Sequence, residues 1–201
     1  MAQLPNRSVD FVLADPSYLV HYRASDGRTV PNDDNDAWML PAFRQLYRLL
    51  RPHRFAISFY GCSHVDRFVH AFRSAGFRIV GHLVFAKRYT SSRRYLGYQH
   101  EQAYLLAKGA PLQPVEPISD LRSWDYTGNK LHPTQKPVST LVPLVESFSR
   151  PDQIVIDPFC GSGSTLVAAR QTGRRFIGFE IDPTYATIAR TRLQTESMKR
   201  D

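Results

Sequence analysis

The sequence predicts an α/β fold built on a doubly wound, mostly parallel sheet. Short apolar runs typical of strands alternate with stretches typical of helices, and such alternation favours βαβ units with parallel strands. Two of the runs end directly in short turns, at residues 15–18 and 157–165, and ligands bind at such strand ends. The length of 201 residues fits one domain, so residues 1–201 are expected to form a single unit.

The individual elements follow in order along the chain. Strands are predicted at 9–14, 54–59, 77–87, 101–108, 153–156 and 175–179. Helices are predicted at 36–50, 65–74, 138–149, 164–171 and 185–195, and the second of them ends before Gly76, a suitable C-cap residue. Residues 109–136 are rich in residues that break regular structure and are predicted to form a long connection, which in a compact domain is often functional.

Composition and charge limit the function classes. The net charge of +8 favours a polyanionic partner, although many basic proteins bind none. Neither Cys62 nor Cys160 sits in a paired CxxC pattern, so we expect no zinc site and no disulfide framework. The apolar runs are too short to cross a bilayer, and the N-terminus lacks the apolar core of a signal peptide. A cytoplasmic protein without a membrane partner is therefore expected.

A glycine-containing turn follows the strand predicted at 153–156. It reads Asp157-Pro158-Phe159-Cys160-Gly161-Ser162-Gly163-Ser164-Thr165. Gly161 and Gly163 permit a close backbone approach to a ligand, and the helix N-terminus behind them favours an anion. The next strand ends near Glu180, seventeen residues beyond Gly163, and an acid at about that distance can hold ribose hydroxyls.

Dinucleotides bind similar turns, but two features argue against NAD. Leu166 takes the place of a third glycine, and the carboxylate of Asp157 would repel a pyrophosphate. No lysine follows Gly163, so a P-loop is excluded. S-adenosylmethionine fits better, since its amino group suits acidic partners, its carboxylate suits helix amides and aromatic rings tolerate its sulfonium. An NAD-linked enzyme stays a distant alternative.

The second turn, Asp15-Pro16-Ser17-Tyr18, follows the first predicted strand. Asp-Pro is a common turn initiator, so a plain turn is an equal alternative. The residue types in this turn also suggest a functional role. An adenine amine is a poor nucleophile, and acceptors such as the Asp15 carboxylate and the Pro16 carbonyl would favour a tetrahedral, attacking nitrogen. Tyr18 can stack on the base, which contributes about 1–3 kcal/mol and offsets part of the cost of turning the base out of the duplex.

Together the two turns resemble the amino-methylating DNA methyltransferases, whose hallmark is an Asp-Pro-Pro-Tyr turn with a glycine loop. The catalytic turn comes first, as in the circularly permuted beta group, and residues 131–137 (LHPTQKP) are similar to that group's segment before the cofactor loop. The likeness runs from Ser8 to about Arg192 and is closest to solitary phage- and prophage-type adenine-N6 enzymes. Ser17 replaces the family's second proline and stiffens the turn less. Relatives carry another strand ahead of Leu4, so a sheet lacking that strand is expected.

The resemblance implies a Rossmann-like fold, S-adenosyl-L-methionine as cofactor and roles for individual residues. The implied catalytic residues are Asp15, Pro16, Ser17 and Tyr18. The implied cofactor-binding residues are Lys136 and Pro137 near the methionine carboxylate, Glu180 at the ribose, and Asp157, Pro158, Phe159, Gly161, Ser162, Gly163, Ser164, Thr165 and Asp182. No metal ligand is implied. Members of the group often form dimers, so a homodimer is an open alternative to a monomer.

Double-stranded DNA is the expected partner, and the segment 88–95 (RYTSSRRY) mixes cations, hydroxyls and aromatic rings that suit it. The predicted DNA-binding residues are Arg88, Ser91, Ser92, Arg93, Arg94 and Tyr95. Target-recognition loops are predicted within 88–130, with Arg122, Trp124 and Tyr126 as further candidates. The alternatives are a cytosine-N4 enzyme, disfavoured because those enzymes more often begin the turn with Ser, and an idle DNA-binding relative. An RNA or protein-glutamine methyltransferase is less expected.

Overall fold

The computed structural model describes residues 1–24, 26–93 and 95–198. The strands are β1 Phe11–Ala14, β2 Arg54–Phe59, β3 Arg78–Lys87, β4 Ser92–Arg93, β5 Gly97–Tyr98, β6 His100–Lys108, β7 Leu121–Trp124, β8 Ile154–Asp157 and β9 Arg175–Gly178. The helices are α1 Met39–Leu49, α2 Val65–Ala75, α3 Val138–Phe148, α4 Ser164–Gln171 and α5 Pro183–Met198.

The described part of the chain contains a seven-stranded sheet with the order β7-β3-β6-β2-β1-β8-β9. The pairings of β1 with β2 and β8, of β8 with β9 and of β3 with β7 are parallel. Both pairings of β6, with β2 and β3, are antiparallel. The sheet is therefore mostly parallel, and the predicted fold class is confirmed.

Helices cover both faces of the sheet. On β1, Val12 and Ala14 face a core cluster that also contains Phe43 of α1 and Phe72 of α2. The alternate residue Leu13 faces a second cluster, formed with side chains of α3 and α4. Because both faces of β1 are buried, its sequence is continuously apolar rather than alternating. None of the helices in the described residues combines the length and the hydropathy needed to span a membrane.

The prediction for 109–136 was wrong at β7. Leu121–Trp124 pairs in parallel with Val84–Lys87 of β3 and forms one edge of the sheet. The segment has no apolar run, so hydrophobicity did not indicate a strand. Trp124 is 7% exposed and packs its ring against Phe59 and Phe85. Its side chain thus belongs to the core and not to an exposed recognition surface.

Candidate active site

Both predicted turns lie at the same edge of the sheet. Asp15 follows β1, and the glycine turn begins at the last residue of β8, Asp157. Because β1 and β8 are parallel neighbours, their carboxyl ends lie side by side. Residues of both turns line one cavity of about 380 Å³, a volume within the range of small-molecule sites.

Most of the residues predicted for the site line this cavity. All four residues of the first turn do so, and so do nine of the twelve predicted cofactor-binding residues. The nine are Lys136, Asp157, Pro158, Phe159, Gly161, Ser162, Ser164, Thr165 and Glu180.

The other three, Pro137, Gly163 and Asp182, are not among the lining residues. Pro137 precedes the first residue of α3, where it ends the segment that carries Lys136. Gly163 precedes α4 with a φ of 83°, a conformation that favours glycine. The Asp182 carboxylate accepts the backbone N–H groups of Thr184 and Tyr185 and so caps α5. Direct ligand contact by these three stays a prediction that the shape of the cavity does not support.

Asp15 is held by an ion pair. Its Oδ1 lies 2.7 Å from Lys136 Nζ, and the side chain of Lys136 is only 7% exposed. Burial raises the pKa of the Asp15 carboxyl, and the Lys136 charge opposes that rise. The resemblance implied that Lys136 lies near a cofactor carboxylate; in the structure its ammonium compensates the carboxylate of Asp15, since an unpaired buried charge would be costly. Among the described residues, the contacts of Asp15 with side chains use Oδ1, which leaves Oδ2 available to a ligand.

Tyr18 is held by groups that the sequence did not indicate. Its hydroxyl donates to Glu101 Oε2 at 3.1 Å, with Asp15 Oδ1 slightly farther away at 3.4 Å. Glu101 in turn accepts from Lys87 Nζ at 2.5 Å. Burial and the two carboxylates raise the pKa of Tyr18, so the ring stays neutral and keeps its hydrogen.

Gly61 packs against the backbone of the same turn. A Cβ at this position would lie 2.6 Å from the carbonyl oxygen of Tyr18 and 2.8 Å from its Cβ. Such distances are too short for real contacts, so only glycine permits the turn to sit against the end of β2. The sequence showed Gly61 only as a residue that stops a strand.

Two carboxylates, one in the glycine turn and one just after β9, line this end of the cavity. Asp157 accepts the Phe159 N–H at 3.0 Å, and burial raises its pKa to about 7. Glu180 accepts the Gly161 N–H at 2.8 Å and the Asp182 N–H at 2.9 Å, which orients its carboxylate at the end of β9. Burial and both of these carboxylates raise the pKa of the Cys160 thiol, so it is not a thiolate nucleophile.

The glycine turn lacks the third glycine of a dinucleotide-binding loop, and a glycine on β9 takes over its packing role. Leu166 stands at that position, and its side chain packs where a Cβ of Gly178 would be, with Cδ1 only 2.5 Å from that point. The close approach between helix and strand is therefore made by the glycine on β9 rather than by one on α4.

A segment after the Asp15–Tyr18 turn also lines the cavity. Val20 and Asp33 lie in it, and the buried Asp33 carboxylate accepts the N–H groups of Val20 and Tyr22 at 3.2 and 2.6 Å. Trp38 closes the same wall by an edge contact with Phe159, with 5.1 Å between ring centroids. These residues were missed because no motif marks them.

The predicted DNA segment forms a small hairpin. Ser92 pairs with Tyr98 and Arg93 with Gly97, while Ser91 Oγ donates to the Tyr98 carbonyl. Arg88, Ser91 and Ser92 are exposed, and Tyr95 is 98% exposed. Arg94 and the side chain of Arg93 lie outside the described residues. The described residues contain no group of three His, Cys, Asp or Glu that could hold a metal ion.

Comparisons with known proteins place these features in one family. A family profile described as DNA methylase matches residues 9–191. The protein named "Putative methylase YubD" from Escherichia coli (strain K12) is 52% identical over 193 residues, which are 96% of this chain and 85% of that protein.

Solved structures share the fold. The M1.HpyAVI–SAM complex matches with a TM-score of 0.74 and 23% identity, over 92% of this chain and 89% of that one. The PvuII DNA methyltransferase, described as cytosine-N4-specific, matches with a TM-score of 0.74 and 14% identity, over 95% and 81%. The resemblance drawn from the two turns is confirmed: this chain belongs to the N6/N4 DNA methylase family.

Proposed function

We propose that this protein transfers a methyl group from S-adenosyl-L-methionine to the exocyclic amine of adenine in double-stranded DNA. The observation that carries the proposal is the single cavity that holds both the Asp15–Tyr18 turn and the glycine turn. Bound there, S-adenosyl-L-methionine would supply an electrophilic methyl group.

The glycine-turn end of the cavity fits that cofactor. Its acidic groups, Asp157 and Glu180, suit an amino group and ribose hydroxyls respectively. The N-terminus of α4 at Ser164 favours a carboxylate, and the ring of Phe159 suits a sulfonium. That M1.HpyAVI, which shares the fold, was solved as a SAM complex agrees with this assignment.

The other end of the cavity fits an amine nucleophile. Asp15 Oδ2 and the Pro16 carbonyl can each accept a hydrogen of the amine, which returns its lone pair to the nitrogen. Tyr18 can stack on the base, and stacking offsets part of the few kcal/mol needed to turn the base out of the duplex. Burial raises the pKa of Asp15, and the charge on Lys136 opposes that rise and so favours the ionised form, which accepts hydrogen bonds.

Adenine is proposed over cytosine because the turn begins with Asp15, whereas cytosine-N4 enzymes more often begin it with Ser. The fold does not favour adenine, since the PvuII enzyme, described as cytosine-N4-specific, matches this chain with a TM-score of 0.74. The amine of cytosine would meet the same acceptors, so product identity must decide.

The proposed DNA contact lies in the exposed hairpin at 88–98. Arg88 and the solvent-exposed ring of Tyr95 suit phosphates and displaced bases, and the chain carries a net charge of +8. Arg122 and Tyr126, at and just after the edge strand β7, are further proposed contacts for target recognition.

The test is transfer of labelled methyl from S-adenosyl-L-methionine to unmethylated DNA, followed by nucleoside analysis. Wild-type protein should place the label in N6-methyladenine, and Asp15→Ala should abolish the transfer. Asp66→Asn is a matched control, because Asp66 is an exposed carboxylate on α2 that does not line the cavity.

Each outcome decides a separate part of the proposal. Label in N4-methylcytosine would overturn the adenine assignment and keep the methyl transfer. DNA and cofactor binding without any transfer would identify an idle relative. Transfer that survives Asp15→Ala would remove the catalytic role of the turn.

A further inference from the structure

Glu101 is a mostly buried carboxylate that no motif marks. It lies near the start of β6, the antiparallel strand, so it reaches the edge of the sheet where β1 ends. Its side chain is 19% exposed and contacts the cavity-lining residue Tyr18. Glu101 itself does not line the cavity, so it can act on a ligand only through a residue that does.

Lys87 provides the charge that Glu101 needs in this position. Its Nζ lies 2.5 Å from Glu101 Oε1, and the lysine side chain is only 6% exposed. The ammonium also lies over the rings of Tyr89 and Trp124, at 5.8 and 5.5 Å from their centroids. Lys87 and Lys136 lower the pKa of Glu101 despite its burial, so the carboxylate stays ionised and accepts strongly.

The Tyr18 hydroxyl has one hydrogen and two carboxylates within reach. Glu101 Oε2 is the closer of the two, at 3.1 Å against 3.4 Å for Asp15 Oδ1. A hydrogen bond to Glu101 therefore fixes the position of the hydroxyl and, with it, the direction in which the ring extends from the backbone. It also leaves the Asp15 carboxylate to Lys136 and to an incoming amine.

We propose that Glu101 is a positioning residue for methyl transfer: through the Tyr18 hydroxyl it holds the ring in the position required to stack on the target base. The proposal rests on the proposed function, because it assigns Tyr18 the stacking role described there. Lys87 is the counter-charge that lets this carboxylate stay buried.

The test is a double-mutant cycle of Glu101→Gln and Tyr18→Phe, measured as kcat and KM with the full-length protein and DNA. Glu101→Gln should lower kcat about tenfold, as expected from weakening one charge-assisted hydrogen bond, with the Kd for S-adenosyl-L-methionine within about twofold of wild type. In the Tyr18→Phe background the same substitution should cause less than about a twofold further loss, because the hydroxyl is already absent.

A second readout follows the base itself. DNA with 2-aminopurine at the target position reports, through its fluorescence, on whether the displaced base is stacked. Wild type should quench the displaced base by stacking on Tyr18, and Glu101→Gln should raise its fluorescence. A residue that only stabilises the fold would leave this signal unchanged in the folded protein.

Glu101→Gln alone leaves Lys87 buried without a counter-charge and could impair folding. The paired change Lys87→Met with Glu101→Leu removes both charges and keeps similar volumes, which is often neutral for stability. It should unfold at a temperature near that of wild type and still lose kcat about tenfold. Glu146→Gln, an exposed carboxylate on α3, is the matched control and should retain wild-type kcat.

Three results would overturn the proposal. Wild-type kcat in the paired variant would show that Glu101 is not needed. Equal losses from Glu101→Gln with and without the Tyr18 hydroxyl would show that it acts by another route. No transfer by wild type would overturn the proposed function and this inference with it, whereas an active wild type with unaffected Glu101 variants would overturn only the inference.

Discussion

Asp157 has a charge that changes near neutral pH, because burial raises its pKa to about 7. Only its ionised form attracts the cationic groups of the proposed cofactor. We therefore expect the affinity for S-adenosyl-L-methionine to fall on the order of tenfold from about pH 7.5 to about pH 6, measured by calorimetry. Asp157→Asn should bind weakly with little dependence on pH. A wild-type affinity that is flat over this range would contradict the expectation.

The raised pKa of Asp157 also leads to a prediction for the stability of the folded protein. The native state keeps a proton on Asp157 that the unfolded state releases above the ordinary aspartate pKa of 3.8. The contribution of this group to stability is therefore complete at acidic pH and is lost as pH rises through about 7. Without cofactor, Asp157→Asn should raise the melting temperature at pH 8 by a few degrees, read by circular dichroism. A lower melting temperature would mean that the carboxylate stabilises the ligand-free fold.

We expect Lys136 to determine the lowest pH at which the protein is active, because its charge affects the ionisation of Asp15. The ion pair at 2.7 Å opposes the rise in the Asp15 pKa caused by burial. Lys136→Met removes that charge, so the pKa of Asp15 should rise further, and the acidic limb of the kcat/KM profile should move to higher pH. The measurement is a pH–rate profile of both proteins. An unmoved limb would show that Asp15 ionisation does not limit the rate.

We expect Gly61 to affect the rate of methyl transfer, although it lies beside the site and not in it. Gly61→Ala would force the Tyr18 backbone to move, and a shift of about 1 Å at a catalytic turn can cost on the order of 100-fold in rate. Gly81→Ala in β3 is the control, because its Cβ would come no closer than 3.3 Å to Leu105. A Gly61→Ala variant with the wild-type kcat would contradict the close contact.

At the scale of single residues, the sequence indicated those that belong to short contiguous motifs. Asp15 and Tyr18 are three residues apart, and the glycine turn is one segment. Glu101 and Gly61 could not be found in this way. The partnership of Tyr18 with Glu101 joins positions 83 residues apart and depends on the register of the strands between them.

At the scale of elements, the β4–β5 hairpin is the proposed DNA contact. Replacing Arg93 and Arg94 with Ala should weaken DNA binding and flatten the dependence of log Kd on log salt, since each lost phosphate contact releases fewer counterions. Exposed arginines on helices α1 and α2 allow a matched control, Arg44→Ala with Arg73→Ala. An unchanged salt slope in the hairpin variant would rule out phosphate contact there.

Elements whose own residues carry a local sequence signal were predicted well. Helix α2 ends at Ala75, and Gly76 caps it with a φ of 106°, as the glycine indicated. The strand β7 was missed, because its residues gain their conformation from pairing with β3 rather than from an apolar pattern. The two-residue strands β4 and β5 were missed for the same reason.

At the scale of the whole molecule, sheet topology explains why two distant motifs form one site. The Asp15–Tyr18 turn and the glycine turn near residue 160 are far apart in sequence, yet β1 and β8 are adjacent and parallel. The two motifs therefore form one site despite their separation along the chain. The alternation of strands and helices was enough to predict this sheet, but not the antiparallel position of β6.

The central claim is that one cavity binds S-adenosyl-L-methionine at one end and activates a DNA amine at the other. The most direct measurement compares cofactor binding with methyl transfer in wild type and Asp15→Asn. The account predicts a cofactor Kd within about threefold of wild type for the variant and a transfer rate lower by at least about 100-fold. Undetectable cofactor binding by wild type, or wild-type transfer by Asp15→Asn, would contradict it.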